Sequence, residues 1–125
     1  MHPNDIITAI LDEGFRIHKS IGPGLLESVY KTCLTYKLRQ KGLNVDCEKP
    51  VPVIFEEVKM DCGFRADMIV ENQVVVEIKS IESIADIHVA QTLTYLRFLN
   101  IRYGLIVNFN TVLLKAGIRR VICGY

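Results

Sequence analysis

The sequence predicts an α/β domain with a mixed central sheet flanked by helices. Three observations lead there. Residues 64–79 read as a β-hairpin in which apolar side chains alternate along both strands. Residues 86–99 carry a helical pattern between that hairpin and a strongly apolar segment, Tyr103 to Phe109, so the flanking strands run parallel across a βαβ crossover. Two helical segments come first, separated by Ile21-Gly22-Pro23-Gly24.

Taken in order, the first helix has Asn4 as its expected N-cap and Asp5 in its first turn. Ile6, Ile7, Ile10, Leu11 and Phe15 form its apolar stripe, which runs to about Lys19. The Gly-Pro-Gly corner ends it, because glycine admits positive φ. The second helix is expected from about Leu26 to Lys41, closed by Gly42 at C′. Its expected core face is Leu26, Val29, Cys33, Tyr36 and Leu38, and Lys37, Arg39 and Lys41 complement its C-terminal dipole. Val45 to Phe55 is extended, and Pro50 and Pro52 make it an edge strand. A turn at Glu56-Glu57 leads to a short extended piece, Val58 to Cys62, with Gly63 marking a bulge before the hairpin. After the hairpin, Ser80 to Asp86 is a polar connection in which Ser83 or Asp86 caps the third helix. That helix buries Ile87, Ala90, Leu93, Leu96 and Leu99. Leu113-Leu114 is a short extended or turn segment, and Ile118 to Cys123 is the closing strand.

The hairpin also carries charge. Ala66, Met68 and Val70 alternate with Asp67 and Ile69; Val74, Val76 and Ile78 alternate with Val75, Glu77 and Lys79. A three-residue loop, Glu71-Asn72-Gln73, pairs Val70 with Val74 and sets Asp67 across from Glu77, with Lys79 one step further on the same face. A two-residue turn would set Asp67 across from Ile78 and mix the faces. Facing carboxylates repel unless a cation sits between them. Carboxylates with open positions suit Mg²⁺ or Mn²⁺, and Lys79 beside the ion could stabilise an oxyanion or orient a water. The plainer alternative is a solvated face with a cross-strand ion pair. On the third helix His88, Gln91 and Tyr95 lie at i, i+3 and i+7 and can face one place; the alternative is an ordinary polar helix face. Glu27 and Tyr30 share one side of the second helix, where a first-turn carboxylate needs no function.

At 125 residues the chain is read as one domain, residues 1–125. Half the residues are hydrophobic, yet no apolar run reaches membrane-spanning length and no signal-peptide core opens the sequence. The expectation is a cytoplasmic protein without a membrane partner. A net charge of +1 gives no global field that advertises nucleic acid, although a local basic patch is compatible with it. Cys33, Cys47, Cys62 and Cys123 show no C-x-x-C spacing and are read as buried, reduced thiols.

Gly24-Leu-Leu-Glu27-Ser-Val-Tyr30 matches the pattern that names the GxxExxY proteins, a family placed in the PD-(D/E)XK nuclease-like superfamily. The resemblance extends from about Ile6 to Val121. It includes Asp61-Cys-Gly-Phe-Arg-Ala-Asp67, Glu77-Ile-Lys79, His88-Val-Ala-Gln91 and Gly104-Leu-Ile-Val-Asn108-Phe-Asn110. Gln91-Thr-Leu-Thr-Tyr95 also resembles the Q-x-x-x-Y motif of RecB-type and lambda-exonuclease-like members. The resemblance implies a restriction-endonuclease-like fold. It makes Asp67 the acid of the PD motif, Glu77 the variable acid, the Ile78 carbonyl a further metal ligand and Glu27 the helical acid that completes the shell. Lys79 becomes the lysine that positions water or stabilises charge, and Gln91 and Tyr95 the helical residues that help hold Lys79, the water or a phosphate. Ala66 stands where the motif has proline, which affects backbone shape more than ligation. His88 takes no firm role.

Three functions fit this reading. The first is a Mg- or Mn-dependent phosphodiesterase acting on nucleic acid, for which Arg16, Lys31, Arg65, Arg97 and Arg102 would need to rim an acidic cleft. A non-catalytic nuclease-fold interaction module is the second, with a homodimer as one form of it. The third, a metal-dependent hydrolase of small nucleotides, uses the same ligands.

Overall fold

Pro3 opens the first helix, α1 (Pro3–Ile21), where its missing N–H is of no consequence. These elements belong to a computed structural model that describes residues 1–124. The cap of α1 is His2 and not Asn4, for the His2 Nδ1 accepts from the Asn4 N–H at 3.1 Å. Ile6, Ile10, Glu13 and Ile17 follow one buried face, and Phe15, off that face, is exposed. Glu13 is tied to Arg16 at 3.0 Å and to Lys41 at 3.4 Å.

The second helix, α2 (Glu27–Gln40), buries a different face from the expected one. Tyr30, Leu34, Thr35 and Leu38 point inward, whereas Leu26 is 74% and Tyr36 62% exposed. Apolar residues are spread around most of this helix, so local periodicity did not single out one face; packing against α1 and the sheet did. Its end is as expected. Gly42 has φ 86, with Leu43 N–H bonded to the Leu38 carbonyl and Gly42 N–H to that of Arg39, a Schellman motif.

Five strands follow in the order β1-β2-β3-β4-β5 across the sheet. β1 (Val45–Phe55) is the expected edge strand and pairs antiparallel with β2 (Val58–Val70), which runs unbroken through Gly63. Their register shifts between Val51 and Val53. A Cβ on Gly63 would lie 2.6 Å from the Val53 Cβ, so the bulge needs glycine there. β3 (Val74–Lys79) pairs antiparallel with β2, with Val70 opposite Val74 around the expected three-residue loop. The third helix, α3 (Asp86–Leu99), crosses over to β4 (Tyr103–Asn108), which lies parallel to β3. A short 3-10 helix, Leu114–Gly117, precedes the antiparallel β5 (Ile118–Ile122).

Two apolar layers sandwich the sheet. α1 and α2 contribute Ile6, Ile10, Tyr30 and Leu34 to a cluster with Met68, Val76 and other alternate strand residues. On the opposite face Leu96 of α3 packs with Ile69, Val75, Ile106 and Val121. Ala66 joins this second cluster, although simple alternation placed it with Met68. The alternation breaks at Asp67, where the opposing β1 residue, Glu48, has left-handed backbone at φ 53.

Three further expectations are corrected by packing. Neither Ser83 nor Asp86 caps α3: Ala85 does, and its N–H donates to the His88 Nδ1 at 2.8 Å while the His88 N–H donates to the Ala85 carbonyl at 3.0 Å. The inner face of α3 is Thr92 and Leu96 with Val89, Leu93 and Leu99 beside them, and Ile87 is exposed. Among the cysteines, all free, Cys62 is exposed and the other three are half-buried.

Candidate active site

Beyond the pair Met68 and Val76, backbone pairing between β2 and β3 stops, and two side chains take its place. The Ile78 N–H donates to the Asp67 Oδ2 at 3.0 Å, and the Asp67 N–H donates to the Glu77 Oε2 at 3.0 Å. Each strand's carboxylate thus satisfies a backbone donor of the other. These bonds engage one oxygen of each acid. The Lys79 carbonyl accepts from the Phe109 N–H toward β4. Alternation therefore turns the Ile78 carbonyl to the β2 side, where Asp67 lies.

The electrostatics are strained. Burial, the adjacent Asp67 carboxylate and, more weakly, Glu27 push Glu77 from 4.5 up to about 7, against the lowering effect of the Asp67 N–H bond and Lys79. Lys79 is half-buried and takes part in no salt bridge among the described residues. An acid pair that one lysine offsets only in part is a setting that a divalent cation would relieve.

Glu27 is exposed at the first turn of α2, within electrostatic reach of Glu77. It does not converge with the other two acids: among the described residues no group of three or more His, Cys, Asp or Glu is placed to hold a metal ion. The donors present are two carboxylates and a carbonyl. Mg²⁺ is commonly held by one or two carboxylates with water and substrate phosphates filling the rest, so the set fits a hard divalent cation.

Tyr95, on α3, lies within electrostatic reach of the pair. Burial and the charges of Glu77 and Asp67 push its phenol up, and its ring stacks on Phe64 at 4.1 Å and 6°. Gln91, one turn before Tyr95 on α3, is exposed and makes no hydrogen bond among the described residues. His88, in the first turn of α3, accepts from the N–H of the cap residue Ala85 through its Nδ1 at 2.8 Å.

Three residues that sequence reasoning did not assign hold this end of the sheet. Tyr30 is fully buried and stacks on Phe109 at 4.4 Å. Its hydroxyl donates to the Gly22 carbonyl at 2.7 Å and accepts from the Leu25 N–H at 3.1 Å, bracing the loop that presents Glu27. Ser80, next after Lys79, ties the same loop to β3 by donating to the Leu25 carbonyl at 2.7 Å. Buried Asn108 accepts from the Ile81 N–H at 3.1 Å and donates to its carbonyl at 3.0 Å. The signal for Tyr30 was present, since an aromatic hydroxyl follows two glycines and a helix start, but its partner carbonyl is reached only through the fold.

A cavity of about 590 Å³ is lined by residues 24–28, Glu27 among them, with Ser80, next after Lys79, and Asn110. It sits at the carboxyl ends of β3 and β4, where open α/β sheets place ligands. No Lys or Arg lines it. Of the cations expected to rim the cleft, Arg16 bonds Glu13, Lys31 pairs with Glu48, and Arg97 and Arg102 line a cleft beside Cys123 near the far end of β4. Arg65, two residues before Asp67, is exposed.

None of the helices among the described residues is long and apolar enough to cross a membrane. Residues 4–121 match the family described as the PD-(D/E)XK nuclease superfamily. No curated protein and no solved structure matches the chain.

Proposed function

The chain belongs to the PD-(D/E)XK nuclease superfamily, and on that premise we propose that it is a Mg- or Mn-dependent phosphodiesterase acting on nucleic acid. Nucleases of this superfamily typically use divalent cations. The observation that carries the reading is the crossed pair of Asp67 and Glu77, its charge unbalanced enough to raise Glu77 to about 7, with Lys79 following on the same strand.

Asp67, Glu77 and the Ile78 carbonyl would hold the cation, with Glu27 contributing at longer range. A bound divalent cation supplies Lewis-acid polarisation of phosphate oxygens and of an attacking water. Hydrolysis forms a new bond from water oxygen to phosphorus and breaks the bond from phosphorus to one sugar oxygen. The products are a phosphate monoester and an alcohol. Lys79 would stabilise the negative charge that grows on the phosphate oxygens, and the Tyr95 hydroxyl would donate a hydrogen bond beside it. Free cysteines favour a reducing, cytoplasmic setting.

Mn²⁺ titration by calorimetry on the wild type and on Asp67→Ala tests the reading. Binding that disappears in the variant supports the site and warrants a screen of DNA and RNA substrates. Absence of binding in the wild type favours the second reading, a non-catalytic interaction module of the same fold, monomeric or homodimeric. That alternative draws on a specific observation: Glu27 stands apart from the other two acids, and no cation lines the neighbouring cavity.

A further inference from the structure

We propose that Asn108 is a positioning residue for the reaction: its buried amide holds the chain that follows Lys79, and through that hold keeps the lysine on the side of Glu77. The proposal rests on the role given to Lys79 above and adds a residue to that site.

Lys79 is the last residue of β3, and a strand end frays unless the chain beyond it is tied down. Regular pairing with β4 ends at the same place, with Lys79 opposite Asn108 and the Phe109 N–H donating to the Lys79 carbonyl at 3.0 Å. From there the Asn108 side chain continues the hold. Its Oδ1 accepts from the Ile81 N–H at 3.1 Å and its Nδ2 donates to the Ile81 carbonyl at 3.0 Å. One side-chain amide thus meets both backbone groups of Ile81, as a neighbouring strand would. The same Oδ1 accepts from the Asn110 N–H at 3.2 Å, and the Asn110 Nδ2 donates to the Ile81 carbonyl at 3.2 Å. On the other side, the Ser80 hydroxyl donates to the Leu25 carbonyl at 2.7 Å. Lys79, Ser80 and Ile81 are each fixed by a bond to another part of the fold.

Packing alone does not call for this residue. Asn108 is 1% exposed and follows buried Leu105, Ile106 and Val107. An amide in such a place costs free energy unless its hydrogen bonds are met, and here they are met by Ile81 and Asn110. A polar residue that breaks an apolar pattern is characteristic of a functional position. Glu77 and Lys79 are two apart, so an extended backbone sets both on one face. Without the Asn108 amide the last residue of β3 would fray and Lys79 would turn away. Asp67 and Glu77 would keep their crossed bonds, which lie nearer the β2–β3 ladder. Loss of Asn108 therefore separates charge stabilisation by the lysine from metal binding by the acids.

The test compares the full-length wild type with Asn108→Leu, which is similar in size and lacks the amide. Circular dichroism checks that the variant folds. In EDTA, with isotope-labelled methyl groups on the lysines, the NMR signal of Lys79 is assigned by its absence from Lys79→Arg. We expect that signal to stand apart from those of exposed lysines in the wild type and to merge with them in Asn108→Leu. A folded variant whose Lys79 signal does not move would overturn the proposal. So would a wild-type Ile81 amide that exchanges as fast as those of exposed loops, a measurement that needs no variant. Mn²⁺ calorimetry should give both proteins the same affinity. On whichever DNA or RNA is found to be cleaved, Asn108→Leu should lower kcat by about 10- to 100-fold with KM unchanged, the scale of a misplaced catalytic group. Added to Lys79→Met, the same change should lower kcat no further, since a residue that acts through the lysine then has nothing to act on. A loss that persists in that background, or a Mn²⁺ affinity that falls together with kcat, would make Asn108 a general support of the fold and overturn its positioning role. A merged Lys79 signal without cleavage of any substrate would leave the hold on Lys79 standing and remove the phosphodiesterase. Cleavage with an unmoved Lys79 signal would do the reverse.

Discussion

Replacing Glu77 with Gln should stabilise the metal-free protein above neutral pH. The side chain is only 6% exposed and faces Asp67, and its pKa stands at about 7 against 4.5 for the free group. The folded chain therefore holds this proton more tightly than the unfolded chain does. Between those two values the folded state binds more protons, so its stability falls as pH rises. The stabilisation attached to the neutral carboxyl is fully present below about 4.5 and is lost as pH passes about 7. The whole span corresponds to about 3 kcal/mol, a large part of the roughly 5–15 kcal/mol that holds a domain folded. Glutamine has the same shape and no charge, and its amide oxygen can still accept from the Asp67 N–H, which Glu77 now binds at 3.0 Å. In EDTA, Glu77→Gln should thus exceed the wild type by about 1–3 kcal/mol at pH 8 and equal it near pH 4.5. Urea unfolding of both proteins from pH 4.5 to 8.5 measures this, because titrations common to the two cancel in the difference. A variant whose stability runs parallel to that of the wild type, or is lower at pH 8, would refute the reasoning. Added Mn²⁺ at pH 8 should raise the unfolding midpoint of the wild type and leave that of Glu77→Gln almost unmoved.

Lys79→Met should keep Mn²⁺ binding while lowering kcat by about 100- to 1,000-fold on any substrate found, as expected for loss of one charge-stabilising donor; calorimetry beside steady-state kinetics separates the two effects. Tyr30→Phe removes the hydroxyl that joins Gly22 to Leu25 and should cost about 1–3 kcal/mol in urea unfolding, with faster amide exchange in the loop before α2. Gly63→Ala forces a Cβ against the Val53 side chain and should cost about 1–3 kcal/mol, with loss of exchange protection confined to β1 and β2.

Much of the strand layer was legible because alternation is local and self-checking. Only a three-residue loop keeps the faces of Met68–Val70 and Val74–Ile78 pure, and the structure pairs Val70 with Val74. The parallel crossover followed from one helix between two apolar strands, and β4 lies beside β3 as expected. Helix faces were less legible. Leu26, the cap of α2, and Val29 within it are apolar like Leu34, yet they lie outside while Thr35 is buried. Which side is covered depends on where the Gly22–Leu25 corner aims the helix, and that corner is held by Tyr30 of α2 itself and by Ser80 from the far end of β3. Gln91 illustrates the same limit at the site: helical spacing places it beside Tyr95, but only Tyr95 finds a partner, Phe64, on β2.

The sequence by itself determined the order of elements and the register that pairs Met68, Ile69 and Val70 with Val76, Val75 and Val74, since a period of two admits no other phase once one face must be apolar. Tertiary structure alone decided how the acids beyond that register behave. It ended the β2–β3 ladder at Met68 and Val76 so that the two carboxylates could bond the backbone in its place. It buried Glu77 enough to raise it to about 7, and it left Glu27 apart from the pair. Spacing along a chain fixes which side chains can share a face; desolvation and mutual charge depend on everything packed around them.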